Sequence, residues 1–143
     1  MKDKIFVDTN ILVYAHDLDA GLKHEIARSK IIDLWEDATG VLSTQVLQEF
    51  YITITRKIIN PLTPAKTRGI IVNYLAWQVE LNDAQTILLA SEFEERHKIS
   101  FWDALIIAAA SRTESIKILT EDLNDGQIIE GIMIENPFKE LLL

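Results

Sequence analysis

The chain has 143 residues, a net charge of −8, three histidines and no cysteine. That length fits one domain spanning 1–143, since domains run to roughly 100–200 residues, and 48% hydrophobic residues exclude general disorder. The missing cysteine removes disulfides, thiolate catalysis and zinc–thiolate sites, while the acidity argues against gripping nucleic acid through a general basic surface.

The elements alternate. Lys4–Asp8 reads as a strand whose apolar run, Ile5-Phe6-Val7, suits burial on both faces. Asn10–His16 reads as a short helix, followed by the polar loop Asp17–Gly21. Ile26, Ala27, Ile31, Leu34, Trp35 and Ala38 recur at helical spacing and predict a helix over His24–Ala38. Gly40–Ser43 is a short strand. Ser43 or Thr44 can cap the next helix, which places Val46, Leu47, Phe50, Tyr51 and Ile54 on one face. Thr63-Pro64 is a helix start, a capping Thr before Pro at the first helical position, and that helix runs to about Leu75. Trp77–Leu81 is a candidate strand, and Asn82 a candidate cap for a helix over Asp83–His97. Ser100 then caps a helix with an apolar body, Ala104–Ala110. Ile116–Thr120 and Ile132–Ile134 complete the strands, and Asn136-Pro137 is expected to end regular structure. Strands separated by helices predict a three-layer α/β/α fold around a mainly parallel sheet.

Neither Met1–Lys4 nor any later segment has the apolar run of a signal peptide. The longest uninterrupted one, Ala104–Ala110, spans seven residues, against about 20 for crossing a bilayer. A soluble, cytoplasmic protein is expected.

Asp8 directly ends a buried strand. Glu49 lies in the helix after the second strand, Asp103 in the first turn of the apolar helix, and Asp122 after the strand Ile116–Thr120. In a parallel α/β sheet, strand ends and following helix starts share one edge, where ligands bind, so topology brings the four acids to a common edge. Each also has a plain explanation. Asp103 fits a capping box, Ser100-Phe101-Trp102-Asp103; Asp122 and Asp125 sit in a turn, where Asp is common; Glu49 lies on the flank of an amphipathic helix. Together they form a candidate divalent-cation site. Like charges at 4 Å repel by about 4 kcal/mol at an effective dielectric of 20, and Mg²⁺ or Mn²⁺, which take oxygen ligands, remove that cost. His16, His24 and His97 share no ligand spacing. Arg56, seven residues after Glu49, lies on the same helical face and is a candidate phosphate contact; Lys57, Arg68, Lys98 and Arg112 are further candidates for a path. Trp35, Tyr51, Trp77 and Trp102 are expected mostly to pack in the core or at a dimer interface.

Val7-Asp8-Thr9-Asn10, Gln48-Glu49-Phe50, Trp102-Asp103-Ala104-Leu105-Ile106 and Leu119-Thr120-Glu121-Asp122-Leu123 resemble, in order, the motifs of PIN-domain proteins, and most closely those of the VapC ribonuclease toxins of toxin–antitoxin pairs. The resemblance covers essentially the whole chain. It implies a PIN fold and Mg²⁺- or Mn²⁺-dependent endonucleolytic cleavage of RNA, with Asp8, Glu49, Asp103 and Asp122 as metal-binding acids. Thr120 and Asn10 match polar positions near the metal. Asp125 is a candidate fifth acid that falls three residues after Asp122 where the family spacing is two. The resemblance also implies a homodimer silenced by a cognate antitoxin. The alternatives are a non-catalytic PIN-fold module that binds RNA or protein, an aspartyl phosphatase, and a receiver-type domain. Asn10 stands where the phosphatase needs a second Asp, and Lys117 falls inside the strand where the receiver needs its Lys elsewhere.

Overall fold

The computed structural model describes residues 2–142. In chain order it runs β1 (Ile5–Val7), α1 (Thr9–His16), α2 (Leu22–Asp37), β2 (Gly40–Ser43), α3 (Thr44–Arg56), α4 (Pro64–Tyr74), β3 (Gln78–Glu80), α5 (Ala84–His97), α6 (Phe101–Arg112), β4 (Lys117–Leu119), β5 (Ile128–Ile129) and β6 (Ile132–Glu135), with a closing 3-10 turn at Lys139–Leu142. The six strands form one sheet in the order β3-β2-β1-β4-β6-β5. All neighbours are parallel except β5, which pairs antiparallel with β6.

The sheet is central because its inner strands β2, β1 and β4 show no alternation of buried and exposed positions. β2 is buried at all four positions, and side chains on a strand point alternately to opposite faces, so both faces must be covered. α2 and α3 pack against β2, α1 packs against α2 and α3, and α5 packs against α6, which also reaches β2. This is the three-layer α/β/α arrangement with a mostly parallel sheet. α6 is buried at every position from Ala104 to Ala110, which accounts for its lack of a polar face. Gly40 is required by packing: a Cβ there would collide with the Trp77 ring.

Several local expectations are corrected. Asp83, not Asn82, caps α5, because its carboxylate reaches the Thr86 N–H three residues on at 3.0 Å. α2 starts at Leu22, two residues before His24. Trp77 precedes β3 instead of joining it. The two-residue β5 turns into β6 through Glu130 and Gly131, both at positive φ. Regular structure continues beyond Asn136-Pro137, because the Asn136 side chain accepts from Phe138 N at 2.9 Å and starts the closing turn, with Phe138 buried. Trp102 is 64% exposed and therefore not a core residue. Among the described residues no helix is long and apolar enough to cross a membrane.

Candidate active site

The chain travels outward from β1 through β2 to β3 on one side and from β4 to β6 on the other. Such a reversal opens a crevice above the carboxyl ends of the two central strands. Val7 pairs with Leu119, so the next residues, Asp8 and Thr120, emerge side by side. Asp8 N donates to Leu119 O at 3.0 Å. The Thr120 hydroxyl, fully buried, donates to Asp8 Oδ2 at 2.8 Å and accepts from Asp122 N at 3.1 Å. One hydroxyl thus fixes the first acid and the backbone of the fourth.

Asp8 is 6% exposed, and its Oδ1 accepts from Thr9 N at 2.7 Å. Burial pushes its carboxyl up to about 7; the Thr120 and Thr9 hydrogen bonds oppose this, and the charges of Asp122 and Glu49 add to it. Glu49 is carried by α3, whose start is capped by Ser43 accepting from Val46 N. Glu49 Oε1 accepts from the Thr9 hydroxyl at 2.7 Å. Asp103 stands in the first turn of α6, where Ser100 Oγ accepts from its N–H at 3.1 Å. The capping reading is therefore half realised: Ser100 caps, but among the described residues no bond returns from the Asp103 carboxylate to Ser100 N. Asp122 is also raised, by desolvation first and then by Asp103 and Glu121, with the Asn10 amide opposing and Glu49 adding. Its loop is pinned next door, where Glu121 accepts from Tyr14 Oη at 2.6 Å and pairs with Lys23 Nζ at 2.8 Å. Asp8 feels Asp122 and Glu49, and Asp122 feels Asp103 and Glu49, so the four acids form one electrostatically coupled group.

All four line a single cavity of about 690 Å³, with Thr9, Asn10, Tyr14, Gln45, Gln48, Lys57 and Trp102 among its other walls. Asn10 Oδ1 is buried without a hydrogen-bond partner. The donor set is all oxygen, coupled carboxylates plus an orphaned carbonyl oxygen, which suits a hard divalent cation. The carboxylates share a cavity but not a point: among the described residues no three His, Cys, Asp or Glu side chains are gathered closely enough to hold a metal ion. Thr9 and Thr120 hydroxyls occupy oxygens of Glu49 and Asp8 in this arrangement.

Two sequence-predicted auxiliaries lie elsewhere. Asp125 turns toward the C-terminal segment, where Oδ1 accepts from Asn136 N at 2.9 Å and Oδ2 lies 3.8 Å from Lys139 Nζ. Arg56 is exposed and does not line the cavity; α3 ends there, and the residues that leave the helix, Lys57, Ile58 and Ile59, line it instead. Arg112 is committed to Asp83 and Glu80. None of the three histidines is in the wall; His16 meets Tyr74 Oη at 2.7 Å and His97 meets Glu130 at 2.6 Å. Gln45, Gln48 and Trp102 are cavity residues the sequence reading passed over. Gln45 shares the face that carries Glu49, four residues before it, and that was the available signal; Gln48 directly precedes Glu49 on the neighbouring flank.

A buried acid at the reversal point of a parallel α/β/α sheet, with three more acids converging on it from α3, α6 and the β4 exit, is the arrangement of a PIN domain. The PIN domain profile matches residues 5–124, and the chain belongs to that family. Solved structures share the fold. VapC20 of Mycobacterium tuberculosis, described as a Sarcin-Ricin loop cleaving toxin, is similar at 23% identity and TM-score 0.66, over 83% of this chain and 92% of that one. A chain of DNA-bound VapBC from Salmonella typhimurium matches at 17% identity and TM-score 0.66, over 95% and 99%. A chain of VapBC2 from Rickettsia felis, bound to a fragment of promoter DNA, matches at 17% and 0.64, over 92% and 97%. At these identities the likeness concerns the fold alone. No curated protein sequence matches the chain.

Proposed function

We propose that the protein is a metal-dependent endoribonuclease, the toxin of a type II toxin–antitoxin pair acting in the cytoplasm. The observation that carries this is the coupling of four carboxylates in one cavity, with Asp8 held near neutrality by burial and by its acidic neighbours. The fold shared with a loop-cleaving toxin and with VapBC complexes supports the RNA substrate and a cognate antitoxin partner. A homodimer accords with the same reading.

Asp8 and Asp103 would hold the principal Mg²⁺ or Mn²⁺, and Glu49 and Asp122 would complete a weaker second site or orient the attacking water. Such an ion supplies Lewis acidity that lowers the pKa of water and steadies the leaving oxygen. The chain does the placing. Thr120 Oγ1 and Thr9 N–H fix the Asp8 carboxyl group at the strand end and oppose the effect of its burial. Thr9 Oγ1 aims Glu49. The water oxygen bonds to phosphorus, the P–O3′ bond breaks in line, O3′ takes a proton, and the product keeps a 5′-phosphate.

The test is cleavage of structured RNA by wild type, Asp8→Asn and Asp103→Asn with Mg²⁺ or Mn²⁺, each with an EDTA control. Both substitutions should lower cleavage by at least ~100-fold, the scale at which removing a charge-stabilising group acts, and EDTA should abolish it. Full activity in either variant overturns the proposal. RNA bound but never cleaved by wild type would favour a non-catalytic module.

A further inference from the structure

We infer that Trp102 is the stacking platform for an unpaired nucleobase beside the acidic cavity, an inference that rests on the nuclease reading. Trp102 occupies the first turn of α6 directly before Asp103 and lines the cavity with the four acids. At 64% exposure it spends a large apolar surface on solvent, which folding alone does not call for. It is nevertheless braced. Its carbonyl accepts from Gln45 Nε2 at 3.2 Å, and the Phe101 ring meets it edge-on at 5.8 Å and 72°.

The other two tryptophans and two of the three tyrosines are occupied, and Tyr51 lies outside this cavity. Trp35, Tyr74 and Trp77 pack on one another at 5.1–5.7 Å, and Tyr14 packs on Phe138 at 5.3 Å. Among the described residues, Phe101 is the only aromatic partner of Trp102. Lys57 lines the same cavity and is paired with no carboxylate among the described residues. Acids, one uncommitted cation and an open indole therefore share one wall system. That combination matches a strand in which phosphates alternate with flat π-faces, and stacking on an aromatic tolerates any base. A base inside a duplex has both faces covered by its neighbours, so the nucleotide at Trp102 must be unpaired. A second copy of this chain on the same indole is the competing occupant, and it would bury Trp102 whether or not RNA is present.

The experiment uses the full chain and an RNA with an unpaired segment at the cleaved position. Trp102→Ala should raise KM roughly 5- to 150-fold, equivalent to ~1–3 kcal/mol at 1.4 kcal/mol per decade, with kcat much less affected, and Trp102→Phe should recover most of the loss. With Ca²⁺ in place of Mg²⁺, an unpaired oligonucleotide should quench wild-type tryptophan fluorescence, and Trp102→Phe, which keeps Trp35 and Trp77, should lose that quench. An unchanged KM in Trp102→Ala overturns the inference while leaving the nuclease standing. So does an undiminished quench in Trp102→Phe, or a dimer that becomes a monomer in Trp102→Ala with KM unaltered. If wild type neither binds nor cleaves RNA, the nuclease reading fails and this role falls with it.

Discussion

Asp8 and Asp83 hold equivalent local positions, each the N-cap of the helix that follows it, yet their surroundings drive them in opposite directions. Asp83 accepts from Thr86 N and Thr86 Oγ1 and meets the Arg112 guanidinium. The Thr86 N–H first, and then Arg112, hold it down at about 2. Asp8 has hydrogen bonds but no cation, and it is buried among like charges, which takes it to about 7. Where an acid serves only the fold, the fold supplies its counter-charge. At the strand end beside Thr120 it does not, and an uncompensated acid in a cleft marks a site that a ligand completes.

The contrast breaks most sharply at Thr120. Its hydroxyl ties Asp8 to the Asp122 loop, so Thr120→Val, nearly isosteric, should lower cleavage about 10- to 100-fold, as loss of an outer partner of a ligating group does. It should also raise the Mg²⁺ concentration needed for half-maximal rate, and Thr120→Ser should restore both. Wild-type Mg²⁺ dependence in the Val variant would reduce the hydroxyl to packing.

A second measurement compares Asp8 with His16. Burial lowers His16 from 6.5 to about 4, with the His24 charge adding. Between about pH 4 and 6.5 the unfolded chain binds a proton that the folded His16 refuses, so stability is lost as pH falls through that window. Asp8 runs the other way. From about pH 4 to 7 the folded chain keeps a proton that the unfolded Asp8 has released, so stability is lost as pH rises. In metal-free buffer the two slopes oppose each other. Asp8→Asn should remove its opposing slope and leave only that of Asp122, also raised, against His16, so that Tm climbs more steeply with pH than in wild type and exceeds it at pH 7 by several degrees, at ~4 °C per kcal/mol. Coincident Tm–pH curves for the two proteins would show Asp8 to be as well compensated as Asp83.

Much of this contrast was legible from residues alone. The apolar run Ile5–Val7 ending in Asp8 is a strong pattern, as is the all-apolar body of α6, because burial on every side leaves no ambiguity of face. Asp8, Glu49, Asp103 and Asp122 could be gathered from topology, since a parallel sheet dictates which ends share an edge. What topology does not dictate is side-chain direction. Trp102 lies between Phe101, half-buried, and Asp103, in a helix whose pattern is apolar all round, so nothing in the spacing marks it as the residue that faces out. Arg56 has the right angular position, but the helix stops there and the wall is completed by Lys57–Ile59. β5 escaped because two residues give no period, with Gly131 in the turn the single clue.

The smallest expected effect concerns Asp125, the acid that sequence spacing left between the two behaviours. Its carboxylate already has fold partners, Asn136 N and, more distantly, Lys139. The hydrogen bond fastens the loop after β4 to the segment after β6, whereas both partners of the ion pair are on the surface, so the ion pair adds little. Asp125→Ala should therefore cost about 0.5–1.5 kcal/mol, the net value of one such hydrogen bond, read as a small fall in Tm, with cleavage within about twofold of wild type. Asp125→Asn keeps an acceptor for Asn136 N and should recover part of that loss. A fall in cleavage comparable to that of Asp8→Asn, with Tm unchanged, would place Asp125 with the uncompensated acids. The loop would then have to release Asn136 when RNA binds, because the carboxylate cannot serve both ends at once.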